Sequence, residues 1–449
     1  MKTIRLFIIL TLSSLGFSGA MAQSYTHGRH KQKPVVYMIA YEQIDTISCP
    51  MQRSMAYQSM AAEGVRSGFE QTRRRGFQQM HNPQFIFATK DNRFALGIGG
   101  ELQLRTSYDM KGAVNNIDFI PYDIPTEATY ANRQRVMMDA SASRIFTKAV
   151  INSEKLGRVV AFVEMDFRGG EEFSYTPHLR SAYISMLGFT AGRDVSTFCD
   201  LNAVPETIDH QGPNAYNFRF ATLLRYEKSF LQDHLKMGIA AEMPVVSGTY
   251  NDYFGALSQR VPDIPVYVQY AWGENRESHF RASAVFRNMY LRNLLANKNT
   301  SLFGWGVQAS MHIKVCDYFT IFGNGVYGEG ITPYIQDLTG SGLDFTPNPG
   351  NPEQIQTMPM WAWQASAEMG IIPSKLWVSG GYSMARVDRH NGFYSQDQYR
   401  RGTYIFGNLF YQLTDNCRLA AEYLHGSRKN YSGAMGEANR LSVMVQYSF

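Results

Sequence analysis

The sequence predicts an all-β fold: a transmembrane antiparallel up-and-down β-barrel of about sixteen strands. Three observations carry that expectation. First, in the last ten residues Leu441, Val443, Val445, Tyr447 and Phe449 fall on one face of a strand, and Arg440, Ser442, Gln446 and Ser448 on the other, with Met444 the one apolar intruder. A strand that is apolar on one side and polar on the other suits lipid outside and water inside. Second, similar segments recur along the chain, and their connections alternate between short and long. Third, aromatic residues make up 13% of the chain and charged residues 18%, below the usual quarter of soluble domains. No other stretch past the N-terminus approaches eighteen consecutive apolar residues, so no membrane-spanning helix is expected. A closed barrel satisfies its backbone hydrogen bonds in lipid equally well.

At the N-terminus, Lys2 and Arg5 precede an apolar run from Leu6 to Phe17, and Ser18-Gly-Ala-Met-Ala22 follows. This reads as a signal peptide over residues 1–22, cleaved after Ala22. No Cys follows that point, so a lipid anchor is not expected. Residues 23–92 read as a periplasmic extension, partly helical or disordered. Met51, Met55, Ala62, Val65 and Phe69 recur at helical spacing, while Gly64, Gly68 and Gly76 weaken the helix. The run Arg73-Arg-Arg75 reads as a solvated face, and a helix inside the barrel is the disfavoured placement. The barrel is expected over 93–449.

From Arg93 the period is two. Phe94, Leu96, Ile98, Leu102 and Leu104 alternate with Glu101, Gln103 and Arg105, and later segments repeat the pattern. Sixteen segments are expected, near 94–107, 137–149, 157–168, 178–186, 188–194, 216–226, 234–244, 264–273, 277–288, 302–315, 317–328, 358–369, 374–385, 402–412, 416–426 and 440–449. Seven short and eight long connections separate them. Short periplasmic turns and long external loops are usual for this class, and sixteen strands enclose an aqueous lumen. A last strand ending in Phe449 resembles the closing strand of bacterial outer-membrane barrels, so the outer membrane is the expected location and its lipid an expected partner. Of the four cysteines, Cys49, Cys199, Cys316 and Cys417, the last two lie four strands apart, too far for a bridge. No structural disulfide is expected.

The most distinctive internal stretch follows the fifth segment, from Ala191 to Asn214. With Leu179-Arg-Ser-Ala-Tyr183 before it and Phe218-Arg-Phe220 after it, this region resembles the DcaP-like family of trimeric outer-membrane porins. The matching residues are Ala191, Gly192, Ser196, Thr197, Phe198, Asp200, Pro205, Thr207, Asp209, Gly212, Pro213 and Asn214. Arg193 departs from the family's usual Gln, and Cys199 from its frequent Met. The likeness covers residues 139–226 clearly. It implies a homotrimer and a loop that folds into the pore and narrows it. Pro205, Gly212 and Pro213 make such a loop rigid on their own account. It would bring Arg193, Asp194, Asp200, Glu206, Asp209 and His210 to the solute pathway.

Facing that loop, the alternation points Arg158, Arg168, Arg180, Arg219, Arg225, Arg281 and Arg287 inward. Each could line the pathway or simply pack against a lumenal carboxylate such as Glu164 or Asp166. Taken together they read as a basic wall, which favours anions. The mild net charge of +5 is spread along the chain and does not point to nucleic acid. The function expected is passive diffusion of small hydrophilic solutes, with anions such as small carboxylates preferred. No cofactor, metal or enzymatic activity is expected. The ten His show no zinc spacing, and Gly323-Asn-Gly-Val-Tyr-Gly328 lacks the helix a dinucleotide site needs. Two other classes stay open: an enzyme using Ser310 and His312, which share a strand face, and a surface adhesin using long loops such as 329–357.

Overall fold

The computed structural model describes residues 35–39 and 62–449, apart from 90, 113, 115, 128, 131, 132, 391 and 393. The signal peptide, Cys49, Met51 and Met55 lie outside the described residues. Two strands precede the wall, β1 (Val35–Ile39) and β2 (Phe85–Thr89). The wall begins with β3 (Phe94–Lys111). The second crossing comes in two pieces, β4 (Arg135–Asp139) and β5 (Arg144–Ser153), both paired with β3. It continues through β6 (Gly157–Gly169), β7 (Thr176–Met186), β8 (Phe189–Val195), β9 (Phe220–Phe230) and β10 (Leu235–Glu242). A three-residue β11 (Phe254–Ala256) lies in a loop before β12 (Ile264–Trp272), β13 (Ser278–Asn293), β14 (Lys298–Cys316) and β15 (Phe319–Glu329). The hairpin β16 (Phe345–Asn348) and β17 (Asn351–Thr357) precedes β18 (Pro359–Ile372), β19 (Leu376–Val387), β20 (Tyr399–Gln412), β21 (Cys417–Asn430) and β22 (Met435–Ser448).

Each wall strand pairs antiparallel with the next, and β22 pairs with β3 from Ser448↔Glu101 to Asn439↔Lys111, which closes a sixteen-strand barrel. Side chains obey the period of two. On β22 Leu441, Val443, Val445 and Tyr447 are exposed, while Arg440, Ser442, Met444 and Gln446 are buried inside. At the seam, the backbones of Gly100 and Phe449 exchange two hydrogen bonds of 2.9 Å. A Cβ on Gly100 would stand 2.7 Å from the Phe449 ring, so the ring covers the gap that the glycine leaves. The thiols of Cys199, Cys316 and Cys417 are free.

The interior is filled by more than wall side chains, and here two expectations are corrected. Residues 62–71 form a helix, but it packs inside the barrel mouth. Val65 and Phe69 cluster with Ile86, Ala88, Ala95 and the inward-facing Val150. The apolar stripe finds a dry partner there, which solvent outside the barrel would not offer. The long loops before β4 and before β18 also turn inward rather than outward. Val114, Phe119 and Ile124 pack on Tyr404, Phe406 and Leu424. Ile331, Tyr334, Ile335 and Leu338 are fully buried beside Phe198 and Ala215.

Candidate functional site: a loop laid across the lumen

β8 stops after seven residues, and the chain leaves the wall at Ser196 to rejoin it at Phe220. Between these points the loop touches most of the circumference. Near its start, Glu242 of β10 accepts from the Ser196 hydroxyl and the Thr197 N–H, both at 2.7 Å. Asp200 accepts from His279 Nε2 at 2.9 Å and from the Ser310 hydroxyl at 2.6 Å. Gln364 of β18 donates to the Ala203 carbonyl at 2.6 Å. On the far wall, Glu422 of β21 accepts from the Ile208 and Asp209 N–H groups at 3.0 and 2.8 Å. The return leg is held by Ser383, which donates to Asn214 at 2.6 Å and accepts from the Ala215 N–H at 2.9 Å. Backbone groups taken out of water must find partners, and the polar inner faces of the strands supply them.

Apolar contacts add to these anchors. Ile208 packs on Trp377, Phe410, Ala420 and Met444. Met444, out of place in a polar-inward register, is thus a seat for the loop. From the end of the barrel that carries the short turns, residues 72–82 brace the same loop. The Phe77 N–H donates to the Leu201 carbonyl at 2.6 Å, and its ring meets Tyr216 and Phe218 at 5.2 and 5.9 Å. Gln78 donates to the His210 carbonyl at 2.6 Å and accepts from Arg144 and Arg180 at 2.6 and 2.9 Å. Gly76 has φ +111, and a Cβ there would lie 2.4 Å from the Leu201 carbonyl oxygen. Arg74 pairs with Asp194 and lies 4.3 Å over the Tyr183 ring. Within the basic run, Arg74 is therefore engaged inside the barrel, whereas Arg75 stays exposed beside Glu70.

Most of the arginines expected in the pathway do reach the interior, and five of the eight meet carboxylates there. Arg168 pairs with Asp118, and Arg180 with Glu164 and Asp166 at 3.1 and 2.9 Å. Arg219 lies 3.5 Å from Asp263, and Arg225 lies 2.7 Å from Asp194 and 3.3 Å from Glu227. Arg287 is fully buried between Asp263 and Asp344, at 3.2 and 3.1 Å. Arg158 donates to Gln71 at 2.7 Å near the periplasmic mouth. Arg281 lies 3.6 Å over the Tyr267 ring and donates to the Thr197 carbonyl, with no carboxylate at ion-pair distance among the described residues. Arg193 departs from its expected place. It shares the outward register of Phe189 and Ala191, donates to the Leu179 carbonyl at 3.0 Å and lies 5.6 Å over the Phe220 ring.

The loop's own charges are likewise anchors. Asp194 is held by Arg74 and Arg225, and the His279 and Ser310 hydrogen bonds keep the Asp200 carboxyl well below the usual range despite its burial. Glu206 pairs with Arg418 at 2.6 Å. Asp209 accepts from the Phe119 N–H and the Tyr404 hydroxyl, each at 3.1 Å. Burial beside Asp118 and Glu422 pushes its carboxyl up to about 7. His210 lies 3.1 Å from Gln103 Oε1, and burial among Arg144, Arg168, Arg105 and Arg180 keeps its ring neutral. Basic and acidic groups expected to face each other across water mostly meet in contact. Arg105, Arg144, Gln78 and Glu422 are central to the site and were missed. The first two share the inward register of β3 and β5, a signal present in the sequence.

A closed barrel with the loop after its fifth crossing laid across the lumen is the architecture of a porin. The chain belongs to the porin subfamily, whose family model matches residues 123–445, and its place is the bacterial outer membrane. Among solved structures it is similar to the outer-membrane channel DcaP of Acinetobacter baumannii, with a TM-score of 0.69 and 19% identity, covering 79% of this chain and 97% of that one. It is also similar to OmpF of Salmonella typhi, solved in complex with daunomycin, at a TM-score of 0.51 and 13% identity over 80% and 99% of the two chains. A third likeness, at a TM-score of 0.50 and 9% identity over 79% and 100%, is to an anion-selective porin from Comamonas acidovorans. No curated protein matches the sequence.

Proposed function

We propose that this porin passes small hydrophilic solutes passively, prefers anions, small carboxylates among them, and works as a homotrimer. The observation that supports the anion preference is Arg281. Its guanidinium stands beside the first turn of the crossing loop and is balanced by no carboxylate at contact distance among the described residues. A charge acts over roughly a Debye length, about 8 Å at physiological salt, so a cation without a contact partner adds more to the field than contact pairs do, even with Asp200 in its reach. Burial of Asp209, with its carboxyl raised to about 7, removes part of the opposing charge near neutral pH. The trimer follows from the family resemblance of residues 139–226. Ser310 and His312 give no support to an enzyme: the Ser310 hydroxyl donates to Asp200, and His312 Nδ1 lies 3.1 Å from the Asn202 carbonyl oxygen. Purified protein in a planar bilayer under a potassium chloride gradient tests the proposal. The reversal potential is expected to report chloride preference. Cation preference would overturn the anion reading, and absence of channels over repeated insertions would overturn passive diffusion itself.

A further inference from the structure

We propose that the junction between the inserted N-terminal segment and the wall at β5–β8 is a binding site for a halide-sized anion, with Lys148 at its centre. Lys148 is 6% exposed. Its ammonium donates to the Phe69 carbonyl at 3.2 Å and lies 5.4 Å from the Phe69 ring centre. No carboxylate stands at ion-pair distance from it among the described residues. An ammonium has three donors, and one neutral carbonyl with an aromatic face leaves its charge uncompensated. Burying a charge in that state is costly unless the amine gives up its proton or a counter-charge joins it, and an anion in the adjoining cavity favours the charged form.

The surrounding groups increase the demand. A cavity of about 30 Å³ adjoins Lys148 and is also lined by Arg73, Arg74, His81, Tyr183 and Asp194. Asp194, the one carboxylate among the lining residues, and the nearby Glu70 are both held by other cations. Asp194 is shared by Arg74 and by Arg225 at 2.7 Å. Glu70 lies 3.0 Å from Arg75 and 4.0 Å from Arg73, and it accepts from Asn82 at 2.5 Å. Among the lining residues Lys148, Arg73 and Arg74 therefore outnumber Asp194. The cavity is room enough for a water-sized group, so a halide fits. The inserted segment and the wall each supply part of the site, so it forms only when residues 69–82 are docked. The site deepens the anion reading and rests on it for its place along the solute path, although its occupancy can be read without any transport.

The test is diffraction from crystals of the full barrel soaked in sodium bromide, with data taken at the bromine edge. An anomalous peak is expected within hydrogen-bonding reach of Lys148 Nζ, and it is lost in Lys148→Met. Bromide peaks elsewhere with none at Lys148, or a peak that survives Lys148→Met, overturn the proposal. If the substituted chain fails to give a heat-modifiable barrel, the wild-type map decides alone. Failure of the channel reading looks different: a wild-type protein that carries no current can still hold bromide here.

Discussion

Asp209 faces Asp118, Glu422, Arg105, the Tyr404 hydroxyl and the Phe119 N–H, and burial with two neighbouring carboxylates outweighs the one arginine. An acid raised to about 7 is neutral below that pH and ionised above it. His210 next to it stays neutral throughout, because burial and four arginines disfavour its charge. Burial raises Asp337, which accepts from the Tyr399 hydroxyl at 2.5 Å, to about 6. Raising the pH from about 6 to about 8 should thus add negative charge to the lumen and weaken chloride preference, an effect large within a Debye length of about 8 Å. Asp209→Asn should flatten that dependence. Reversal potentials at the two pH values check both outcomes. Arg281 and Arg287 separate selectivity from support. Arg281→Ala should shift the reversal potential toward cations, most at low salt, with folding unchanged. Arg287→Ala would leave Asp344 buried without its cation and Asp263 with Arg219 alone, which costs roughly 3–5 kcal/mol and should appear as a lower urea midpoint.

The inserted segment 62–84 is the element whose placement the sequence conceals. Its helical stripe of Ala62, Val65 and Phe69 is legible, but a stripe says only that an apolar partner exists, and a periplasmic bundle and a barrel mouth satisfy it equally. What fixes the location is steric and local. Gly76 leaves no room for a side chain against Leu201, and a Cβ on Gly212 would stand 2.9 Å from the Phe77 ring. Glycines in turn-rich stretches carry no outward sign that they face one another. The wall is the opposite case. A period of two and the alternation of short and long connections brought the expected strands close to those observed, except that the second crossing, expected as one strand near 137–149, is broken into β4 and β5. The arginines were legible as inward-facing through parity, whereas their carboxylate partners were not, because pairing depends on register between strands distant in sequence. Arg193 obeys the same parity, since it shares the outward face of Phe189 and Ala191 on β8, and the inward expectation comes from the loop resemblance instead. Phe77 is 2% exposed and anchors the segment to the loop. Phe77→Ala should cost about 3–5 kcal/mol, loosen the loop and raise open-channel current noise. Unchanged noise with unchanged stability would show that the segment does not brace the loop.

At the scale of the whole molecule, a barrel is stable only if its first and last strands meet, because an open edge in lipid leaves a row of backbone groups without partners. The β3–β22 seam carries that burden over ten paired positions. Its periplasmic end depends on Gly99 and Gly100, where the wall must admit two aromatic rings. A Cβ on Gly99 would lie 2.7 Å from the inner Phe146 ring, and one on Gly100 would lie 2.5 Å from the Arg144 carbonyl oxygen and 2.7 Å from the Phe449 ring. The Arg144 contact is with backbone of the neighbouring strand, so it cannot be relieved by a side-chain rotation. The two backbone hydrogen bonds between Gly100 and Phe449 lie in the same contact. Gly100→Val should therefore open the seam from its periplasmic end. Loss of those bonds in a setting that water does not fully reach costs about 1–3 kcal/mol for each unsatisfied group. Phe449→Ala removes the ring but keeps the backbone bonds, so it should weaken the seam less. The measurement is the temperature at which the compact band converts to the unfolded band in a heat-modifiability gel. The expected order is wild type highest, Phe449→Ala lower and Gly100→Val lowest. If Gly100→Val matches wild type, closure does not depend on this contact and the stability of the barrel resides elsewhere along the seam.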